Sequence, residues 1–345
     1  MNGFNLSDIQ DAKLGGTQLS AIYLGSSKLW PSIDYSQEYL TITSLADSND
    51  ITWVANSSSY TRTIEWSVDK ITWTSITSAT SSNTITTLNT GEKLYLRGTN
   101  TTYCSSGTNY TAIRSVDNKQ FNVSGNILSL IYGDNFMNYT AFSSGERHVS
   151  QLFRNSNVVN ASNLILPKTS TRSFQSLFMN CSDLIYPPTV TDTNIAAYAA
   201  INAMFYGCTA LVDASNVMPN VTTLSSECCG QMFYGCTSMV KGPTQINANI
   251  PQGACNQMFK GCTSLIKAPD LLGTSVASYG CNQMFDGCTS LNYVKCMATS
   301  KSGSSNFTSW LNGVASSGTF VKDANSTLFP SGTSGIPSNW TVINI

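Results

Sequence analysis

Charge is scarce in this chain of 345 residues: Asp, Glu, Lys and Arg make up 11% of it, and 18 basic side chains nearly cancel 19 acidic ones. No global field is left to draw in phosphate backbones or anionic lipid, so nucleic-acid binding is not expected. Histidine is scarcer still, with His148 alone. An activated nucleophile needs a base or a metal beside it, and the sequence has no G-x-S-x-G, no H-E-x-x-H and no P-loop. Its acids are spread thinly, with no aromatic-rich cleft to gather a carboxylate pair for glycoside hydrolysis. These absences point away from an enzyme, and no catalytic residue, metal or cofactor is expected. His148, in Ser-Gly-Glu-Arg-His-Val, reads as solvated or locally hydrogen-bonded. Long apolar runs are missing too, so no membrane insertion is expected. The opening MNGFNLSDIQDAKLGG lacks a basic stretch followed by an apolar one, so Sec export is not expected either.

What is present is enough to fold. Hydrophobic residues make up 41% and aromatics 10%, and the length suits two or three folded units. Ser, Thr and Asn supply the polarity.

One phrase recurs through the second half: LFMNCSDL from Leu177, MFYGCTAL from Met204, MFYGCTSM from Met232, MFKGCTSL from Met258 and MFDGCTSL from Met284. Its phenylalanines, Phe178, Phe205, Phe233, Phe259 and Phe285, are 26 to 28 residues apart, a spacing in the leucine-rich-repeat range. Degraded copies at Leu152-Phe153 and Trp310-Leu311 suit the ends of a solenoid. Within a unit, Cys255, Met258-Phe259 and Cys262 fall three and four residues apart, which predicts a short helix with one inward side. Gly207, Gly235, Gly261 and Gly287 suit its end, where a left-handed residue is needed. Residues 263–269 then read as a short strand stopped by Pro269. Six or seven such units would stack to a length on the order of 30 Å. The repeat core is assigned to the five phenylalanines together with Cys208, Cys236, Cys262 and Cys288. Eleven cysteines, an odd number, mostly at repeat-matched positions, read first as free core thiols, then as interlocked disulfides, and last as zinc ligands, since the short paired hooks of a zinc site are missing.

The repeat resembles the BspA-like leucine-rich-repeat family of bacterial surfaces, over about Phe142 to Trp310. That resemblance implies a solenoid with an adhesive or recognition role and leaves the ligand open. Comparison of the copies marks what the core leaves free: Tyr206, Tyr234, Lys260 and Asp286 between the phenylalanine and the glycine, and Val212-Asp213, Val240-Lys241, Ile266-Lys267 and Asn292-Tyr293 in the strand. Tyr206, Tyr234, Lys260, Asp286, Lys241, Lys267 and Tyr293 are the candidate binding residues, with a contact patch expected from Tyr206, Tyr234 and Tyr293.

From Tyr39 to Phe136 the texture changes to short alternating runs such as YLTITSL, ITWVA, RTIEWSV and KLYLRGT. These predict an antiparallel, Ig-like β-sandwich of seven or eight strands. Ser67-Val68-Asp69 and Thr72-Trp73 read as a hairpin with a buried Trp. Ile127, Leu128, Leu130 and Ile131 are expected to form a lid over the first repeat, at a domain hinge. Before the sandwich, residues 13–31 alternate like a hairpin with Gly turns, too small to be stable alone. Leu14, Ile22, Tyr23, Leu24, Leu29 and Trp30 are its anchor positions. This segment, with Tyr23-Leu24-Gly25 and Trp30-Pro31, resembles a short module at the start of virion proteins of tailed phages, including crAss-like phages of gut bacteria. The resemblance implies attachment to a particle.

The expectation is therefore a mainly β protein with short helices: a β-hairpin anchor at 1–35, a sandwich at 36–136 and a leucine-rich-repeat solenoid at 137–345. Its expected role is that of a head fibre, tail fibre or capsid decoration, assembled in the bacterial host cytoplasm and carried on the virion. Its expected partners are other capsid or tail proteins through the N-terminus, a host-surface glycan or protein, and further copies of itself, a trimer by family analogy. A bacterial cell-surface adhesin is the alternative, and a glycan-degrading enzyme the third.

Overall fold

The computed structural model describes residues 34–345 except 82, 220 and 333, together with the backbone of short strand pieces between 13 and 30. In that segment Ile22–Leu24 pairs antiparallel with Ser27–Trp30. The side chains of the expected anchor residues Leu14, Ile22, Tyr23, Leu24, Leu29 and Trp30 lie outside the described residues. The rest is mainly β, with little helix, and ends in a β-solenoid of about six turns.

Eight strands form the first half: β1 (Leu40–Ser44), β2 (Asn49–Ala55), β3 (Thr63–Ser67), β4 (Thr74–Thr77), β5 (Thr84–Leu88), β6 (Lys93–Arg97), β7 (Thr111–Ser115) and β8 (Phe121–Asn126). Their alternating β-branched and aromatic residues put one set inward. Leu40, Ile42, Ile51, Trp53, Leu94 and Leu96 are fully buried. A three-stranded sheet runs in the order β7-β2-β5, and a second sheet continues from β4 through β3, β6, β1 and β8. Asp69 closes the β3–β4 hairpin by accepting from the N–H groups of Ile71 and Thr72 at 2.8 Å each. Trp73 there is half-buried beneath the Arg97 guanidinium, whereas Trp53 of β2 is fully buried.

The second sheet does not end at β8. Its sixth strand, β9 (Asn163–Ile165), belongs to the first solenoid turns and pairs parallel with β8. Val123 N–H donates to Asn160 and Ile113 N–H to Leu152, at 2.8 Å each. One connected hydrophobic core runs from Leu40 to Trp340. Where the sequence suggested a hinge with a lid, the structure has Ile127, Leu130 and Ile131 inside that continuous core, with Leu128 buried beside them. β8 and the first solenoid turns thus share one sheet and one core.

The solenoid corrects the expected helix. From Gly253 to Gly261 every second N–H donates to a carbonyl of the next turn, residue 253 to 278, 255 to 280, 257 to 282, 259 to 284 and 261 to 286, at 2.8 to 3.0 Å. The residues between donate three positions back. An α-helix would send every N–H four residues back along its own segment. The cause is a left-handed residue every fourth position, Gly253, Gln257 and Gly261 with φ of 63°, 55° and 76°, which unwinds any helix. Side chains then alternate in pairs. Residues 254–255, 258–259 and 262 are buried, while 256–257 and 260–261 are only partly covered. A four-residue period lies close to the helical 3.6, which explains the misreading.

The strand prediction shifts as well. Pro269 stops nothing: Asp270–Leu271 follows it directly as a strand. Ala268 and Asp270 donate to neighbouring turns on either side of Pro269, so the missing N–H falls where none is used. No helix among the described residues is long and apolar enough to cross a membrane.

Candidate functional site

Inside the solenoid the repeat residues form columns. Phe153, Phe178, Phe205, Phe233, Phe259 and Phe285 stack with centroids 5.4 to 5.8 Å apart and near-parallel rings, and Trp310 closes the column at a tilt. Beside it, Cys181, Cys208, Cys236, Cys262 and Cys288 each donate a thiol hydrogen to the phenylalanine carbonyl of the preceding turn, at 2.9 to 3.1 Å. All eleven cysteines are free and buried. Burial pushes the Cys181, Cys236, Cys288 and Cys296 thiols up to about 12, which keeps them protonated and able to donate. Among the described residues, no three His, Cys, Asp or Glu side chains gather as a metal-holding group.

Outside, the candidate residues separate into two columns. In the first, Tyr206 lies flat on Tyr234 with centroids 4.6 Å apart. Lys260 Nζ reaches Asp286 at 3.0 Å and Gln283 at 2.8 Å, and Asp286 accepts from Asn312. Gln231, Gln257 and Gln283 add an amide ladder at 2.7 Å per step. All four residues of this column are half-buried, the two tyrosines engaged through their rings and Lys260 and Asp286 through their charges.

The second column joins Asp213, Lys241, Lys267 and Tyr293 through parallel bridges between successive turns. Tyr293 therefore stands with the lysines, so the patch expected from Tyr206, Tyr234 and Tyr293 divides between two columns. Alongside runs a row of exposed aliphatics, Ile185 at 39%, Val212 at 46% and Ile266 at 47%. Two adjoining hollows open here and share Ser215. One, of about 490 Å³, is lined by Ile185, Tyr186, Val212 and Asp213. The other, of about 290 Å³, is lined by Val240, Lys241, Pro243, Ile266 and Lys267. No family model, curated protein or solved structure matches the chain. Ile185, Tyr186 and Ser215 are lining residues missed from the sequence, although Leu184-Ile185-Tyr186-Pro187 aligns with Leu265-Ile266-Lys267 and carried the signal.

His148 is corrected from solvated to core. It is fully buried, stacks on Phe142 with centroids 4.3 Å apart, and pairs through Nδ1 with Ser170 Oγ at 3.1 Å. Its Nε2 has no hydrogen-bond partner. Burial pulls its pKa below the ordinary histidine value.

Proposed function

We propose that this chain is a structural and adhesive protein of a tailed-phage virion, a head fibre, tail fibre or capsid decoration. Residues 1–35 dock as a hairpin on another capsid or tail protein, 36–136 form an Ig-like sandwich, and 137–345 form a leucine-rich-repeat solenoid that faces host-surface glycan or protein. The protein is assembled in the host cytoplasm, works as a homo-oligomer, a trimer by analogy, and uses no cofactor. The observation that carries the recognition role is the trough beside Lys241 and Lys267. Exposed apolar side chains there line a concave strip on a solenoid otherwise able to bury its phenylalanines and cysteines completely, and contiguous exposed apolar surface marks interaction sites. The particle context rests on the resemblance of Tyr23-Leu24-Gly25 and Trp30-Pro31 to virion modules.

The test is competition. Purified chain added to host cells should slow adsorption of the phage that carries it, and a variant with the trough filled, Ser215→Trp, should not. Unchanged adsorption at saturating chain removes the recognition role.

A further inference from the structure

We infer that the trough takes a carboxylated sugar of a host-surface polysaccharide, seated over Val240 and Ile266 with its carboxylate between Lys241 and Lys267. This rests on the recognition role above and names its ligand class. Lys241 and Lys267 sit opposite each other on neighbouring parallel segments, where like charges destabilise a sheet. Folding gains little from their charges, since their side chains are 68% and 56% exposed and their contacts, including that of Lys267 with the Tyr293 ring, are solvent-screened. An anion placed between them turns that repulsion into attraction.

The acids on this face do not cancel the lysines. Asp213 lies 3.4 Å from Lys241, and Asp270 lies 3.1 Å from Lys267 and 4.0 Å from Lys295. Three lysines thus face two aspartates. The exposed Lys241–Asp213 pair contributes at most about 1 kcal/mol and yields readily to a better-placed carboxylate, while the partly buried Asp270 is shared between Lys267 and Lys295. Between the lysines the floor is aliphatic, from Val240, Pro243 and Ile266, with the hydroxyls of Ser215 and Thr244 in the same lining. A sugar ring has that combination: an apolar C–H face, hydroxyls at its edge and here an acid. The hollow of about 290 Å³ has room for one such ring, and the adjoining one for its neighbours in the chain. An extended peptide would look instead for an unpaired strand edge. Here Ala214, Lys241 and Ala268 already donate to neighbouring turns.

The experiment titrates the purified full chain with a linear oligo-uronate and a sialylated oligosaccharide, each beside its methyl-esterified counterpart, and with an oligo-glutamate peptide. At least one acidic sugar should bind, and its ester should bind about tenfold or more weakly, the size of one lost charge-assisted contact. The K241Q/K267Q double variant should lose affinity by a similar factor, while K301Q, at another exposed lysine, should not. An Ile266→Thr variant, folded with unchanged melting temperature, should weaken the acid and the ester alike. The assignment is overturned if neither acidic sugar binds, if ester and acid bind equally, if the double variant matches the parent, or if oligo-glutamate binds more tightly than both sugars. Any of these results, obtained with a chain that still blocks adsorption, removes the ligand assignment and leaves the recognition role standing.

Discussion

At the residue scale, the Gly-Cys phrase is legible because both positions have one physical task. The glycine supplies a left-handed turn, φ 76° at Gly261, and the first copy puts Asn180, the best non-glycine substitute, at the same point with φ 60°. The cysteine fills the core and ties its thiol to the turn before. Native protein should therefore resist alkylation, with all eleven thiols reacting only in denaturant without reductant; native labelling, or a lower count after unfolding, contradicts this by mass spectrometry. His148 was not legible, because its neighbours in sequence are polar while its burial comes from Phe142 on one side and the following turns on the other. Its lowered pKa means that the unfolded chain takes up the proton first. Stability contributed by the neutral ring is intact above the unfolded value of ~6.5 and declines as pH falls from there towards the folded value. Urea midpoints between pH 7 and pH 5 should fall for the parent and stay flatter for His148→Phe; parallel curves would contradict it.

At the element scale, the period was read correctly in its spacing and wrongly in its cause. Inward pairs at 254–255 and 258–259 look helical, but the left-handed residue at Gln257 is invisible in a sequence, since glutamine has no preference for that conformation. The contacts that pay for it lie in the next turn, 25 residues away, at Asn282. The same holds for Pro269, harmless only because of which N–H the neighbouring turns use. The phenylalanine column, by contrast, was fixed by the repeat alone. Phe233 stacks on Phe205 at 5.6 Å and on Phe259 at 5.4 Å, so Phe233→Ala should cost about 3–5 kcal/mol in denaturant unfolding. A loss below about 1 kcal/mol would mean that the column can close up around the gap.

At the scale of the whole molecule, the alternation of the first half and the repeats of the second were visible, and their fusion was not. β8 pairs with β1 on one side and with β9 of the solenoid on the other, a long-range choice that no local pattern encodes. A core shared from Leu40 to Trp340 should unfold cooperatively. Calorimetry should show one transition covering both halves, and two well-separated transitions would contradict the fusion. The trough was half legible: the variable pairs of the repeats named Lys241 and Lys267, but only the stacked turns bring Ile185, Val212 and Ile266 into one strip beside them. The central claim, a particle-borne recognition solenoid, is tested most directly by cryo-electron microscopy of purified phage from the source culture. The account predicts density for this chain on the particle, with residues 1–31 against a capsid or tail protein and the trough facing outward. Absence from every particle, with the chain found on the host cell surface, would contradict it.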